Sequence, residues 1–250
     1  MSKPLVLFTA PVGTRSGYGA HSRDIARSLI AMDRFDIKIF PVRWGSTPQN
    51  ALNEKDPNDI EIIKRLLTNP NMERQPDIHF HCVIPNEFMT LAKYNIGITA
   101  GIETTACPQE WLDGMNRMDL NIVPSNFTKE VFENCIYDRI DNKTKKVLGN
   151  IKNEKPIEVL FEGADTTIYK KPKQISKELK KEFQNIPESF LFLYVGHWLN
   201  GSIGNDRKDT GMLVKVFLET FKNHKKKPAL LMKTISADFS ILDREEMIKK

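Results

Sequence analysis

The most constraining feature of this chain is an unbroken apolar run near its start, PLVLFTA, which is followed by a glycine-containing loop and a helical pattern. A strand that is apolar without alternation is typical of a parallel sheet buried on both faces. The same order recurs along the chain, and further strands are predicted in FDIKIFPV, DIHFHCVI, NIGITA, DLNIVPS and PIEVLFEGAD. Alternating strands and helices predict an α/β fold with a Rossmann-like parallel sheet.

The polar segment over residues 137–155 is predicted to be a surface excursion, and YKKPKQISKELKKEF then marks a change to strongly charged sequence. We expect a junction there, between an N-terminal Rossmann-like domain (1–170) and a second domain (186–250). In the second domain SFLFLYVGHW and PALLMKTI predict strands, and RKDTGMLVKVFLETFKNH predicts the helix between them. These elements are too few for an independent core, so we expect the sequence to stop inside a second Rossmann-like domain.

Composition narrows the class of protein. No apolar stretch approaches the ~20 residues of a membrane-spanning helix, and the start lacks the pattern of a secretory signal. The three cysteines, Cys82, Cys107 and Cys135, form no CxxC pair, which favours free thiols in a cytoplasmic protein. The net charge is +5, but the basic residues alternate with acidic ones, which favours solvated helix faces over a nucleic-acid site. Small anionic substrates fit this balance.

A second glycine-rich loop, GHWLNGSIGNDRKDTG, follows the first strand of the second domain. With Asn205 or Asp206 as the cap, Arg207 and Lys208 would fall in the first turn of the next helix. Cations are unfavourable there unless an anion is bound, because the helix N-terminus carries about half a positive charge. The spacing therefore favours a diphosphate site, although a solvated helix start with Asp209 as its acid is equally compatible.

The N-terminal loop has the same order of strand, glycine-rich turn and helix. Gly17 and Gly19 would allow a ligand to approach the backbone closely. The spacing departs from a dinucleotide fingerprint, and no acidic residue closes the second strand. A plain strand-to-helix turn remains an equal alternative.

Three further side chains are candidates for chemistry. His79 and His81 share one face of a strand, but no third metal ligand is near in sequence, so we expect no metal site. His81 lies near the end of its strand, where it could line a cleft. Glu103 follows a strand in GIETTACPQEW, a common place for a functional carboxylate, although on pattern alone an acid with no special task is preferred.

Four stretches together are similar to the retaining, nucleotide-sugar-dependent glycosyltransferases of the GT-B fold (group 1, family 4-like). They are SGYGAHSRDIARSL, GIETTACPQEWLDGMNRMDLNIVPSNFTKEVF, FEGADTTIY and VGHWLNGSIGNDRKDTGMLVKVF. The resemblance implies transfer of a sugar, with retention, from a nucleotide-diphosphate donor to a sugar, lipid or protein acceptor. It implies no cofactor and no metal, in agreement with the lack of a DxD pair, and no nucleic-acid partner or stable membrane insertion.

The resemblance also implies roles for individual residues. Arg207 and Lys208 match the basic pair that holds the donor diphosphate, with Lys233 near the same site. Gly17 and Gly19 match the loop that faces the phosphates, and these five residues form the expected donor-diphosphate site.

The expected catalytic residues, facing the transferred sugar or the acceptor, are Glu103 and His81. Ser125 and His197 are expected to border the cleft.

Two departures from the family leave alternatives open. The sequence ends before the paired-glutamate segment of the family could occur, and His197 stands where the family usually has its first basic residue. A truncated, non-catalytic glycosyltransferase-like binding module is therefore the main alternative. An α/β enzyme that acts on another phosphorylated substrate, such as a dinucleotide oxidoreductase, is a third possibility.

Overall fold

The computed structural model describes residues 3–69, 72–141, 143–198, 203–204 and 208–236, apart from the side chains of residues 197, 235 and 236. The chain divides into two compact units, 1–164 and 165–250.

The first unit confirms the predicted α/β class. Its elements are, in order, β1 (Leu5–Ala10), α1 (Gly17–Ala31), β2 (Asp36–Pro41), α2 (Pro57–Ile63), β3 (Ile78–Cys82), a 3-10 turn (Pro85–Glu87), β4 (Tyr94–Ile98), α3 (Gln109–Arg117), β5 (Leu120–Val123), α4 (Asn126–Asn134), β6 (Tyr137–Ile140), β7 (Val147–Ile151) and β8 (Ile157–Val159). Six strands form one parallel sheet in the order β2-β1-β3-β4-β5-β8, and β6 pairs with β7 in a separate antiparallel hairpin.

Burial on both faces explains the unbroken apolar strands. All six residues of β1 are buried. On one face, Phe8 and Ile39 pack with Ala26 of α1. A second core cluster joins Met115 of α3 and Phe132 of α4 with Val123 of β5. A strand that is buried on both faces has no solvent-facing side, so polar alternation would be unfavourable there.

Strand order fixes where a ligand-binding crevice is expected. From β1 the chain passes through α1 to β2 on one side and then returns to β3 on the other side of β1. The loops that follow β1 and β3 therefore diverge at the carboxyl edge of the sheet. In open α/β sheets this switch point is the usual place for a ligand.

The second unit contains α5 (Lys177–Phe183), β9 (Leu191–Trp198), α6 (Thr210–Phe221) and β10 (Ala229–Ser236). The strands β9 and β10 are parallel, in register from Leu191 opposite Ala229. Phe192 of β9 packs against Phe217 and Phe221 of α6, with ring centroids 6.0 and 5.7 Å apart.

The start of α6 differs from the sequence prediction. The helix begins at Thr210, and Asp209 is its N-cap in a left-handed conformation (φ 47°). The carboxylate of Asp209 accepts a hydrogen bond from the Gly204 N–H at 3.0 Å instead of capping the helix. The Thr210 and Tyr194 hydroxyls lie 2.8 Å apart and tie the helix start to β9. Lys208 consequently precedes the cap, and the prediction that it lies in the first turn is wrong.

Among the described residues, none of the helices combines the length and the apolar character that crossing a lipid bilayer requires.

Candidate functional site at the carboxyl edge of the sheet

The loop between β1 and α1 is held in one shape by buried hydrogen bonds. The Thr14 hydroxyl, fully buried, donates to the Pro11 carbonyl at 2.9 Å. The Arg23 guanidinium reaches back from α1 and donates to the carbonyls of Val12 and Thr14, both at 2.9 Å. The loop carbonyls are thus satisfied from within, and the loop presents a fixed surface at the switch point.

The two glycines of this loop lie inside the first turn of α1, since the Ser16 side chain caps the helix by accepting from the Gly19 N–H at 2.9 Å. A Cβ on Gly19 would lie 2.3 Å from the Thr14 carbonyl oxygen, so Gly19 is required by packing. Gly17 is exposed, and a Cβ there would have no neighbour within 4 Å. The first N–H groups of a helix lack intrahelical partners, so the open position at Gly17 is suited to an anion or a polar ligand.

An aromatic pair adjoins this turn. The ring of Tyr18 stacks on Trp44 with centroids 4.0 Å apart. Its hydroxyl lies 2.9 Å from the Thr99 hydroxyl and accepts from the Ala100 N–H at 3.0 Å. Burial raises the pKa of Tyr18 to about 12, although both hydrogen bonds oppose that shift. Sequence reasoning did not select Tyr18 or Trp44, and the only local signal is an aromatic residue between the two loop glycines.

His21 and Glu162 meet at the same edge. The Nδ1 of His21, on the second turn of α1, lies 3.9 Å from a carboxylate oxygen of Glu162, which follows β8. The His21 side chain is 16% exposed and that of Glu162 is 48% exposed, so the pair faces partly into solvent. Next to His21 in sequence, Ser22 donates to the buried Cys82 thiol, and burial raises the pKa of that thiol to about 12, which disfavours the reactive thiolate.

The loops after β4 and β5 lie next to one another. Gly101 has φ 76°, and a Cβ there would lie 2.0 Å from the Thr128 side chain of α4. Glu103 is exposed on the loop that Gly101 begins. Ser125 caps α4, since its hydroxyl accepts from the Thr128 N–H at 3.1 Å. The loop of Glu103 and the cap at Ser125 are thus brought together.

His81 is part of the core. Its side chain is buried, and its Nδ1 accepts from the Met89 N–H at 3.1 Å. Burial, with the nearby His79 ring, lowers the pKa of His81 to about 3. His79 is also buried, bonded to the Thr9 hydroxyl at 2.9 Å and the Met89 carbonyl at 3.1 Å. The observed contacts are those of a neutral ring that positions the loop after β3, and a catalytic role for His81 stays a prediction.

In the second unit the predicted donor residues are only partly described. Lys208 is exposed just before the cap of α6, and Lys233 is exposed on β10, paired with Val195 of β9. The backbone of His197 lies near the end of β9. Arg207 and the side chain of His197 lie outside the described residues.

Within the described part of the chain, no group of three or more His, Cys, Asp or Glu side chains is arranged to hold a metal ion. A comparison with models of known families and with curated proteins finds no match for this chain.

Proposed function

We propose that this chain is a glycosyltransferase that uses a nucleotide-diphosphate sugar as donor and retains the configuration of the transferred sugar. The observation that carries the proposal is the pre-organised glycine turn at the β1/β3 switch point, where Gly17 leaves the first turn of α1 open. The resemblance of four sequence stretches to the GT-B enzymes supports the same reading.

The first unit carries the residues that we propose to contact the transferred sugar or the acceptor. Exposed Glu103 and the Ser125 cap lie on adjoining loops, and Tyr18, Trp44 and His21 border the same carboxyl edge. Polar and aromatic side chains beside an open backbone turn are typical of sites for small polar ligands. We propose that Glu103 contacts the transferred sugar or the acceptor.

In the second unit, we propose that the donor diphosphate binds at the glycine-rich loop between β9 and α6. Arg207 and Lys208 precede the cap of α6, and Lys233 is exposed on the neighbouring strand. Cations on this loop would stabilise the negative charge that develops on the leaving diphosphate. By analogy with a lost oxyanion donor, one such contact would contribute ~2–4 kcal/mol in the transition state.

Isothermal titration with UDP, GDP and ADP tests the proposal. We expect at least one nucleotide to bind, and binding to weaken in the double variant Arg207→Gln with Lys208→Gln. Lys225→Gln with Lys226→Gln, which removes two exposed cations after α6, is the matched control. No heat of binding with any of the three nucleotides would refute the donor assignment.

A second variant tests the first unit separately. Gly17→Val places a branched side chain in the open turn, whereas Ala31→Val adds bulk at the exposed end of the same helix. We expect transfer from the nucleotide sugar to fall only in Gly17→Val. Equal transfer activity in both variants would refute the assignment of the switch point to the site.

A further inference from the structure

The connection between α4 and β8 carries a hairpin whose size is unusual for such a link. Connections of this kind usually span 2–6 residues, whereas here residues 135–156 intervene and include β6 and β7. Every residue from 143 to 150 is exposed. The outer part of the hairpin therefore projects into solvent, and burial against the first unit does not account for it.

The base of the hairpin is fixed to the first unit. The Tyr137 hydroxyl donates a hydrogen bond to the Cys107 carbonyl. Just after β7, the Lys152 carbonyl accepts a hydrogen bond from the Asn116 side chain of α3, and the Glu154 N–H donates to that side chain, both at 2.8 Å. These contacts hold both ends of the hairpin, so its tip is presented in a defined position.

Hydrogen bonds also link the described residues of the turn at the tip. One carboxylate oxygen of Asp141 accepts from the Lys143 N–H at 2.9 Å and from the N–H and hydroxyl of Thr144 at 2.6 and 2.9 Å. These bonds, first those of Thr144, hold the pKa of Asp141 below its usual value. The carboxylate of Asp141 is thus directed to the turn itself.

Aliphatic side chains cover much of the tip. Ile140 and Val147 are paired across the ladder, and they are 52% and 56% exposed. Leu148, next to Val147, is 64% exposed. Single exposed aliphatic residues are ordinary, but these three lie together on a short ribbon, and among the described residues none of them belongs to the core clusters of the first unit.

Cations surround this patch. Four exposed basic side chains lie between residues 139 and 146, and the two acidic residues of the hairpin are Asp138 and Asp141, which leaves a local net charge of 4 − 2 = +2. The basic residues are Arg139, Lys143, Lys145 and Lys146.

We propose that the tip of this hairpin, residues 139–141 and 143–148, docks on the surface of a membrane that contains anionic lipids. Aliphatic side chains that enter the interface, together with lysines that face the head groups, are the chemistry of peripheral membrane binding. The tip has no aromatic side chain for base stacking, which disfavours single-stranded nucleic acid. It also projects, and a projecting aliphatic tip fits a deformable lipid interface better than the packed pocket of a protein partner.

Vesicle sedimentation tests the proposal with the full chain. We expect binding to phosphatidylcholine vesicles that contain phosphatidylglycerol, weaker binding to phosphatidylcholine alone, and loss of binding at high salt. In the triple variant Lys143→Gln, Lys145→Gln and Lys146→Gln, binding should fall about 100-fold, since each lysine near an anionic surface contributes roughly a factor of five.

The matched control is the triple variant Lys170→Gln, Lys171→Gln and Lys173→Gln, which removes three exposed lysines from the second unit. It should bind anionic vesicles to within a few-fold of the unaltered chain. Ile140→Ser with Val147→Ser should also weaken binding to the same anionic vesicles at low salt.

Two results would overturn the assignment. One is equal loss of binding in the hairpin and control triple variants, which would indicate a general effect of charge. The other is binding of RNA or DNA by the hairpin lysines without binding to anionic vesicles. Far-ultraviolet circular dichroism of each variant separates lost binding from lost folding.

Discussion

The two buried histidines of β3 predict how the first unit loses stability in acid. Burial lowers the pKa of His79 to about 4 and that of His81 to about 3, against 6.5 for a free histidine. Because the folded-state values lie below the unfolded one, protons bind preferentially to the unfolded chain. The stability that the neutral rings support is therefore present above pH 6.5 and is lost as the pH falls below it.

The size of the effect follows from these values. Between pH 7 and pH 5, each histidine lowers the free energy of unfolding by about 2 kcal/mol, or about 4 kcal/mol together. The pKa of Asp77 is lowered to about 2, chiefly by Lys93 and then by the Leu5 N–H, so this carboxylate acts in a more acidic range and does not obscure the window.

Urea unfolding at pH 7 and pH 5 measures the effect. In a Trp198→Phe background the fluorescence comes from Trp44 and Trp111, both in the first unit. His81→Asn keeps an acceptor for the Met89 N–H without a titrating ring, so we expect its loss of stability between the two pH values to be about half that of the unaltered chain, about 2 kcal/mol.

His224→Asn, which alters an exposed ring of the second unit, is the control and should leave the pH dependence unchanged. An unfolding free energy in the unaltered chain that does not change from pH 7 to pH 5 would refute the reasoning. So would a His81→Asn variant whose pH dependence equals that of the unaltered chain.

Three further predictions concern packing in the first unit. Gly19→Ala should lower the free energy of unfolding by about 1–3 kcal/mol because its Cβ meets the Thr14 carbonyl, whereas Gly17→Ala should leave it unchanged or raise it, as urea unfolding of both variants would show. Tyr18→Phe should lower the free energy of unfolding by about 1 kcal/mol. In an absorbance titration at 295 nm, the variant should lack the phenol that ionises near pH 12 in the unaltered chain. All three cysteines are buried free thiols, so a thiol reagent at pH 8 should react with none in the folded chain and with all three in urea; fast reaction of Cys82 without urea would contradict its burial.

The parallel sheet was predictable because burial on both faces leaves a direct mark on sequence. β1, β3 and β4 are short and mostly apolar, and each lies where the sequence predicts a strand. The residue at which α1 begins was harder to predict from the sequence. The helix begins at Gly17 because the Ser16 hydroxyl caps it, although glycines usually favour a loop.

The candidate site was only partly predictable, since its distinctive contacts join residues far apart in sequence. Glu103, Ser125 and the two loop glycines carry local signals. The stacking of Tyr18 on Trp44 and the proximity of His21 to Glu162 do not, because they depend on the strand order. The common face of His79 and His81 followed from alternation, but their burial against Met89 depends on an irregular loop.

The Tyr18 hydroxyl affects how the crevice at the switch point would accept a ligand. The Tyr18 hydroxyl links the first turn of α1 to the loop after β4 by hydrogen bonds, so these two segments are held at a fixed distance from each other. Their separation is set during folding, and little ordering is left for the moment of association. A ligand of matching width would therefore bind with a small entropic penalty, and a wider one would first have to break the hydrogen bonds of Tyr18.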